Sequence, residues 1–333
     1  MISLSRFLIS LFTLLLCVQA SLAAEPLVIF SGRSDKFVKP VVKAFTAETG
    51  IKAILHSGSS TSLLNKLKLE GARTQADVYI SNDAGNLQKG SEFKLFKSLP
   101  DSIANIIPAN YRALNNSWLG ISARARVLVV STKKHDADFV KSVFDLADPR
   151  LQGKLGITHS GNESYIAGVT VYMQSAGEEK TRNWLKGMKR NVEGSVFNKH
   201  SKIVKAVAGG KKSVGLVNHY YIYRYLAKHP DAAIKIVLPD QDGMGVAWNV
   251  AGAAVSKYTK HSDAAEKFMA FLVSDKGQKL FAQVNSEYPT RAGIPAAAEV
   301  PPAGSYKVAG VPMVKLGEMR NATLDLIESV GMP

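Results

Sequence analysis

The sequence predicts an α/β fold in which a mostly parallel sheet carries helices on both faces. Short apolar segments alternate with segments of helical spacing, and small-residue turns that contain glycine lie between them. Parallel strands need long crossover connections, which are usually helices, so this alternation is typical of β-α-β units. Two further extended apolar segments join the halves of the chain and indicate two lobes.

The first part of the chain predicts three strands and two helices. The strands are short apolar runs, each followed by a turn of small or polar residues, at residues 27–30, 51–56 and 77–81. The helices have apolar side chains at helical spacing, at residues 36–49 and in the leucine-rich segment before Gly71. Ligands on parallel sheets bind beyond the carboxyl ends of the strands. The turns at Gly32, at Gly58 and at residues 82–85 are therefore candidate binding loops.

Residues 126–131 and 249–256 are interpreted as the segments that cross between the lobes. Between them, residues 165–176 predict a helix and residues 213–217 predict a strand of the second lobe. A hinge of two crossing strands allows such lobes to close over a ligand. The predicted first lobe comprises residues 24–125 with about 251–301, and the predicted second lobe comprises residues 126–250 with about 302–333.

The first 23 residues have the pattern of a cleaved secretory signal peptide. Arg6 supplies the basic region, residues 7–18 the apolar region, and residues 21–23 a small-x-small cleavage site. The apolar region is too short for a membrane span, and no later segment is a better candidate. Cleavage removes Cys17, the single cysteine, so the exported chain has no thiol for a metal site or for nucleophilic catalysis.

The formal net charge of +15 is strongly basic. A basic balance is compatible with nucleic acid, anionic surfaces or anionic ligands as partners. The lysines are scattered and form no basic helix interleaved with aromatic residues, and export also argues against nucleic acid. The charge is therefore interpreted mainly as a solvated surface with a bias toward anionic ligand complexes. A secreted enzyme is a further alternative, but neither a His-Glu-x-x-His motif nor a Gly-x-Ser-x-Gly motif is present.

The most informative segment is the run Asn218-His219-Tyr220-Tyr221, which follows the strand predicted at residues 213–217. Neighbouring side chains on a strand point to opposite faces, so both phenols reach one site only if the backbone turns there. Phenolate oxygen is hard and anionic, as Fe(III) requires. The alternative is that the two amphipathic rings simply cover a surface.

Other segments occur in a characteristic order along the chain. They are Ser31-Gly32-Arg33, Gly58-Ser59-Ser60, residues 76–79 with 83–87, Ala123-Arg124 and Glu287-Tyr288-Pro289. Together with the paired tyrosines, they resemble the periplasmic ferric-iron-binding proteins of bacterial ABC importers over the whole mature chain. The resemblance implies a type II periplasmic-binding-protein fold, a periplasmic location and a monomer. It also implies that Fe(III), as the ion or from weak ferric chelates, is delivered to an ABC permease and its ATPase.

The resemblance implies three tyrosine ligands, because Tyr220 and Tyr221 match the paired tyrosines and Tyr165 matches a third tyrosine of several members. Three phenolates would neutralise Fe(III), since a bound cation drives the loss of the phenol protons. A synergistic anion, carbonate or bicarbonate, would occupy remaining positions on the iron. The alternative for Tyr165 is a first-turn tyrosine that packs in a core.

Arg33 resembles an arginine that some members direct at the synergistic anion, and its planar fork suits bidentate contact with an oxyanion. Ser59, Ser60 and Thr61 open a predicted helix, where hydroxyls and free N–H groups favour anions. A plain helix N-cap is the alternative for these residues. Arg124 either adds positive charge from the hinge or pairs with surface carboxylates.

The chain departs from the family at several positions. Ser34 and Asp35 stand where many members have a histidine or a His-Tyr pair, and Asn82 stands where some have a glutamate. Asp35 remains an outside candidate for a ligand. Asn218 is expected to orient the phenols from behind. His219 is interpreted as a structural histidine that points away from the site.

The sequence therefore predicts a solute-binding protein for ferric iron. The alternative is a binding protein of the same fold for an organic or oxyanion solute, such as thiamine, a phosphonate or a polyamine, with the tyrosines stacked on the ligand. Phenolate-bound Fe(III) gives a visible charge-transfer band, whereas the alternative predicts a colourless protein.

Overall fold

The computed structural model describes residues 25–333, so the predicted signal peptide at residues 1–23 lies outside the described residues. The strands are β1 (Leu27–Ser31), β2 (Ala53–Ser57), β3 (Val78–Ser81), β4 (Leu119–Ser131), β5 (Leu155–Gly156), β6 (Val214–Asn218), β7 (Ile234–Val237) and β8 (Trp248–Val255). The first helices are α1 (Asp35–Thr49), α2 (Ser60–Glu70), α3 (Ala84–Glu92) and α4 (Asp101–Ala104). The later helices are α5 (Glu163–Ala176), α6 (Glu178–Val192), α7 (His200–Ala208), α8 (His219–Leu226), α9 (Ser262–Val273), α10 (Asp275–Asn285), α11 (Lys315–Glu318) and α12 (Arg320–Val330).

The first lobe is built on the three strands that the sequence predicts. Strand β1 lies between β2 and β3 and pairs with both in parallel, and β3 then pairs with β8 in antiparallel orientation. Helix α1 covers one face with an apolar stripe that includes Phe45, whose ring lies 4.9 Å from the ring of Phe268 in α9. The helix ends at Gly50, which adopts the left-handed conformation that favours glycine.

Strand β4 belongs to both lobes. Its first part, as far as Ala125, pairs with β8, and its second part, from Arg126 onward, pairs with β6 and β7. The predicted crossing segment at residues 126–131 is therefore only the second half of a strand of 13 residues. The first half has small and basic residues, which conceal the strand in the sequence although all of it is buried. The predicted two-lobed α/β fold is present, with β4 and β8 as its crossing strands. The sheet is mixed rather than mostly parallel, because β8 pairs antiparallel with β3 and β4, and β4 pairs antiparallel with β6 and β7.

The C-terminal tail contacts both lobes. The helix that the sequence predicts near residues 314–330 is divided at Met319 into α11 and α12. Helix α12 packs on α5 of the second lobe, where the hydroxyls of Thr323 and Thr170 lie 2.9 Å apart. Helix α11 packs on α3 of the first lobe so closely that a Cβ atom on Gly317 would lie 2.4 Å from Cβ of Gln88.

The cores of both lobes consist of aliphatic and aromatic side chains, with β4, β6 and β8 buried along their whole lengths. Each buried Val, Leu, Ile or Phe side chain contributes about 1.5–3 kcal/mol relative to an exposed one. Within residues 25–333, no helix has both the length and the apolar composition that a membrane span requires.

Candidate metal centre

The backbone turns immediately before the paired tyrosines. Strand β6 ends at Asn218 and helix α8 begins at His219, so Tyr220 and Tyr221 lie in the first helical turn. Successive helical residues are rotated by about 100°, whereas successive strand residues point to opposite faces. The two ring centroids are consequently only 4.5 Å apart. The backbone turn that both phenols need in order to reach one site is therefore present.

Asn218 fixes the first phenol from behind. Its Nδ2 group donates to the Tyr220 hydroxyl at 3.3 Å and to Ser164 Oγ at 3.1 Å. Its Oδ1 atom accepts from Arg126 Nη1 at 3.3 Å. The amide therefore links a buried arginine of β4 to a phenol oxygen, which is the contact expected of a residue that orients a ligand.

Tyr221 lies in an environment that opposes ionisation unless a cation is present. The negative charge of a neighbouring Tyr220 phenolate, followed by burial, raises the pKa of the Tyr221 phenol well above its ordinary value. The Tyr221 ring stacks on His200 with a centroid distance of 5.1 Å. Burial, reinforced by the charge of Arg126, holds the pKa of His200 well below its ordinary value, so this imidazole is neutral. A multivalent cation would stabilise both phenolates at once.

The paired tyrosines line a cleft of about 550 Å³ between the lobes. Its first-lobe wall consists of Gly32, Ser59, Thr61 and Asn82. The remaining lining residues are His159, Gly161, Asn162, Glu163, Ser164, Ile166, His200, Tyr220, Tyr221, Arg320 and Leu324. Among residues 25–333, no group of three His, Cys, Asp or Glu side chains is arranged to hold a metal ion. The candidate donors in this cleft are therefore mainly the phenols.

The lobes touch beside the paired tyrosines. The ring of Phe37 in α1 lies 6.0 Å from the ring of Tyr220 in an edge-on arrangement. The guanidinium of Arg224 in α8 lies over the same Phe37 ring, 4.7 Å from its centroid. The cleft is thus closed at this side by aromatic and cation–π contacts between the lobes.

The structure corrects the expected placement of Tyr165. Its side chain is 1% exposed, belongs to the hydrophobic core and does not line the cleft. Helix α5 starts at Glu163, so Glu163 faces the cleft while Tyr165, two positions further round the helix, faces inward. Burial raises the pKa of Tyr165 strongly. Its hydroxyl has no hydrogen-bond partner within the described chain, residues 25–333.

The structure also corrects the expected role of Arg33. Its Nη2 group donates to both carboxylate oxygens of Glu287 at 2.8 Å, and its Nη1 group donates to Ser122 Oγ at 2.9 Å. Both partners of this ion pair are 1% exposed. The Nη groups of Arg33 are therefore already paired inside the protein. Glu287 lies near the hinge, because the backbone of the next residue, Tyr288, pairs with that of Ala123.

The hydroxyls at the start of α2 have partners inside the protein. Ser59 is the N-cap, and its Oγ accepts from the N–H of Ser62 at 3.1 Å, as the alternative interpretation requires. Ser60 Oγ donates to Glu163 Oε2 at 3.1 Å and accepts from the N–H of Asn82 at 3.0 Å. Thr61 Oγ1 donates to Asn86 Oδ1 at 3.3 Å.

Arg124 does not pair with surface carboxylates, contrary to one of the two alternatives. The residue is 2% exposed, and neither of its Nη groups has a hydrogen-bond partner among residues 25–333. Arg126, two positions along β4, projects from the same face of the strand. Burial lowers the pKa of Arg126 to about 10, which still leaves it charged at neutral pH. Two buried cations thus stand behind the paired tyrosines.

The positions that depart from the family pattern provide little for a metal. Asp35 accepts from Ser57 Oγ and forms an ion pair with Lys39 at 2.7 Å, and it does not line the cleft. Ser34 precedes α1 without a side-chain cap. Asn82 lines the cleft. This placement does not support Asp35 as a metal ligand, because its carboxylate pairs with the exposed Lys39.

Glu163 and His200 are among the cleft residues that were not identified as site residues from the sequence. Glu163 lines the same cleft as the paired tyrosines, and burial, followed by the charge of Asp83, raises its pKa to about 7. His200 stacks on Tyr221. Glu163 occurs in the segment that contains Tyr165, but only the start of α5 decides which side chain faces the cleft. No local spacing in the sequence points to His200.

Residues 41–306 match the family of bacterial extracellular solute-binding proteins. The chain belongs to this family. It is 32% identical over 296 residues to the iron uptake protein A1 of Synechocystis sp., a match that covers 87% of this chain and 82% of that protein. It is 29% identical over 323 residues to the major ferric iron-binding protein of Neisseria meningitidis serogroup B, covering 94% of this chain and 95% of that protein.

Solved structures of related proteins have the same architecture. Iron-bound HitA from Pseudomonas aeruginosa superposes with a TM-score of 0.87 at 29% identity, covering 92% of this chain and 99% of that structure. Trichodesmium FutA in complex with iron and citrate ligands superposes with a TM-score of 0.81 at 30% identity, covering 92% of this chain and 100% of that structure. The type II periplasmic-binding-protein fold and the resemblance to ferric-iron-binding proteins are both confirmed.

The ion pair between Arg33 and Glu287 predicts a large effect on stability. We expect Arg33→Ala to lower the free energy of unfolding by about 3–5 kcal/mol, because Glu287 would remain buried without its partner. Urea denaturation of the iron-free protein measures this loss. The control is Arg150→Ala, which breaks an exposed pair with Asp148 and should cost less than about 1 kcal/mol. Equal stability of Arg33→Ala and the wild type would contradict the structural role.

Proposed function

We propose that this protein captures ferric iron in the periplasm and delivers it to an ABC permease. The observation that carries this proposal is the convergence of Tyr220 and Tyr221 in the cleft, with ring centroids 4.5 Å apart. Two adjacent phenols in a cleft provide two hard anionic oxygens for a trivalent ion. The names of the relatives, which describe ferric iron binding and iron uptake, support the same substrate.

Binding would proceed by exchange of protons for the metal ion. The ion displaces the phenol protons, because the repulsion that opposes two adjacent phenolates vanishes when a trivalent cation lies between their oxygens. Asn218 holds the Tyr220 oxygen by its amide, and His200 supports the Tyr221 ring without adding positive charge. Contact of the lobes through Phe37 and Arg224 then shields the site from water.

In this proposal the synergistic anion binds Arg124 rather than Arg33. Arg124 lines a small cavity of about 10 Å³ that shares Ser164 with the cleft and must widen to admit the anion. Both Nη groups of Arg124 are buried and without hydrogen-bond partners in the described part of the chain, whereas the fork of Arg33 is filled by Glu287. A buried unpaired guanidinium is costly, so an anion that binds it is strongly favoured. Carbonate or bicarbonate remains the proposed anion, and a carboxylate such as citrate has the same oxygen chemistry.

An oxyanion solute without a metal is the second candidate function, and the free Nη groups of Arg124 favour it. The two candidates differ in what the phenols do. Iron binding requires both phenolates to ligate and gives a coloured complex, whereas an oxyanion solute leaves them protonated and the protein colourless.

Replacement of one paired tyrosine tests the metal assignment. We expect Tyr221→Phe to abolish the visible charge-transfer band and the high-affinity binding of Fe(III), because the variant loses a phenolate donor. Spectrophotometric titration with ferric citrate measures both effects. The control is Tyr223→Phe, which lies in the same helix and outside the cleft lining. A titration of Tyr221→Phe that matches the wild type would exclude the paired-phenolate site.

Loss of the buried guanidinium tests the anion assignment. We expect Arg124→Gln to weaken Fe(III) binding most when bicarbonate is scarce, while its unfolding free energy stays equal or rises because an unpaired buried charge is removed. Fe(III) titration at low and high bicarbonate, with urea denaturation alongside, separates these effects. Arg182→Gln, on the exposed side of α6, is the control. Equal weakening at every bicarbonate concentration would reject the anion role.

The pH dependence follows from the proton exchange. The ligating form is the phenolate, so lowering the pH favours the protonated form that cannot bind, and the raised pKa of Tyr221 makes this competition stronger. With two protons displaced, the apparent affinity should fall by up to ~100-fold per pH unit between neutral pH and about pH 5. Competition titrations against a chelator of known pH dependence measure the slope. A flat profile would contradict phenolate ligation.

A further inference from the structure

We propose that Glu163 supplies the third anionic oxygen to the bound ion and that Ser60 of the opposite lobe holds this carboxylate in position. The inference rests on the proposed function, since it names a further ligand of the same site. Tyr165, expected to be the third anionic ligand, is buried in the core of the second lobe. Glu163, the first residue of the same helix, lines the cleft together with Tyr220 and Tyr221.

The position at which helix α5 starts determines which of the two side chains, Glu163 or Tyr165, faces the cleft. Asn162 is the N-cap, and its side chain accepts from the N–H of Ser164, so the helix starts at Glu163. Two helical positions amount to a rotation of about 200°, so Glu163 and Tyr165 point in nearly opposite directions. A carboxylate at the first position therefore reaches the cleft, and the phenol at the third position does not.

The charges of the cleft favour a carboxylate donor. Two phenolates leave one positive charge of Fe(III) uncompensated, and one carboxylate balances it with another hard oxygen. The first-lobe wall offers no such group, because Gly32, Ser59, Thr61 and Asn82 have no ionisable side chain. Asp83 is not a competing donor, since its oxygens accept from the N–H and the amide of Asn86 and face Arg320 at 3.6 Å.

The contact between Glu163 and Ser60 couples this donor to lobe closure. Glu163 Oε2 accepts from Ser60 Oγ at 3.1 Å, and Ser60 Oγ is itself held by the N–H of Asn82. The Oε1 atom accepts no hydrogen bond from residues 25–333 and is available to a cation. One oxygen of the carboxylate thus binds the opposite lobe while the other binds the ion, so that metal binding and closure stabilise each other.

Two variants separate the negative charge of Glu163 from its hydrogen bond with Ser60. Glu163→Gln retains an oxygen that accepts from Ser60 but loses the anionic donor. Ser60→Ala retains the donor but loses the contact between the lobes. The matched control is Glu178→Gln, since Glu178 is the first residue of α6, is exposed and lies away from the cleft.

We expect Glu163→Gln to weaken Fe(III) binding by ~100-fold and Ser60→Ala by ~10-fold, in keeping with the effects of ligand-supporting groups. The charge-transfer band of Glu163→Gln should remain, because both phenolates are present, and should shift to longer wavelength. The shift is expected because an iron that has lost one anionic donor accepts phenolate charge more readily. Chelator competition and visible spectra of each iron-loaded protein measure these changes, and urea denaturation verifies that each variant is folded.

The outcomes distinguish this inference from the proposed function. A wild-type protein that shows no band with ferric citrate overturns the proposed function itself. A coloured wild type, together with a folded Glu163→Gln variant whose affinity and band position are unchanged, overturns only the role of Glu163. If Glu163→Gln does not fold, Glu163→Asp decides instead, since the shorter carboxylate should retain the band position and lose part of the affinity. An Asp variant with wild-type affinity would contradict a positioned donor.

Discussion

The continuity of strand β4 is the constraint on which the rest of the molecule depends. One unbroken backbone pairs with β8 in the first lobe and with β6 in the second lobe, and the exchange of partners falls between Ala125 and Arg126. In the second pairing, Arg126 lies opposite Asn218, the last residue before the paired tyrosines. The register of a single strand pair therefore places the phenols beside the hinge. We therefore expect rotations at this hinge to move the walls of the cleft directly.

Three buried arginines in or beside this strand differ in their hydrogen-bond partners, and these partners indicate what each arginine does. Both Nη groups of Arg33 have acceptors, in Glu287 and Ser122, and an arginine paired in this way contributes to the fold. Arg124 has no acceptor for its Nη groups among residues 25–333, and its burial is unfavourable in the absence of an anion. Arg126 holds Asn218 and contacts His200. Residues of one type thus differ in role beside β4: Arg33 is structural, Arg126 positions Asn218, and Arg124 is the proposed anion-binding residue.

Much of the fold was predictable because it depends on local patterns. The alternation of strands and helices, the C-terminal glycine of α1 and the turn at the paired tyrosines are all encoded within a few neighbouring residues. The ion pair of Arg33 was not predictable, since 254 residues separate it from Glu287. The placement of Tyr165 in the core was not predictable for a different reason. A shift of two positions in the start of one helix reverses the face that a side chain occupies, and sequence patterns locate helix ends only to within one or two residues.

The C-terminal tail has a consequence for the direction in which the lobes separate. Helix α11 lies against α3 with glycines at the contact, so there the two backbones meet almost directly. Beside the tyrosines, the contacts between the lobes are made by side chains, such as Phe37 with Arg224 and Ser60 with Glu163. Side chains separate at little cost, but closely packed backbones do not. The contacts between the lobes are therefore unequal, and they are tighter where α11 meets α3 than beside the tyrosines. We therefore expect the lobes to separate first on the side of the paired tyrosines, where the ion is proposed to bind.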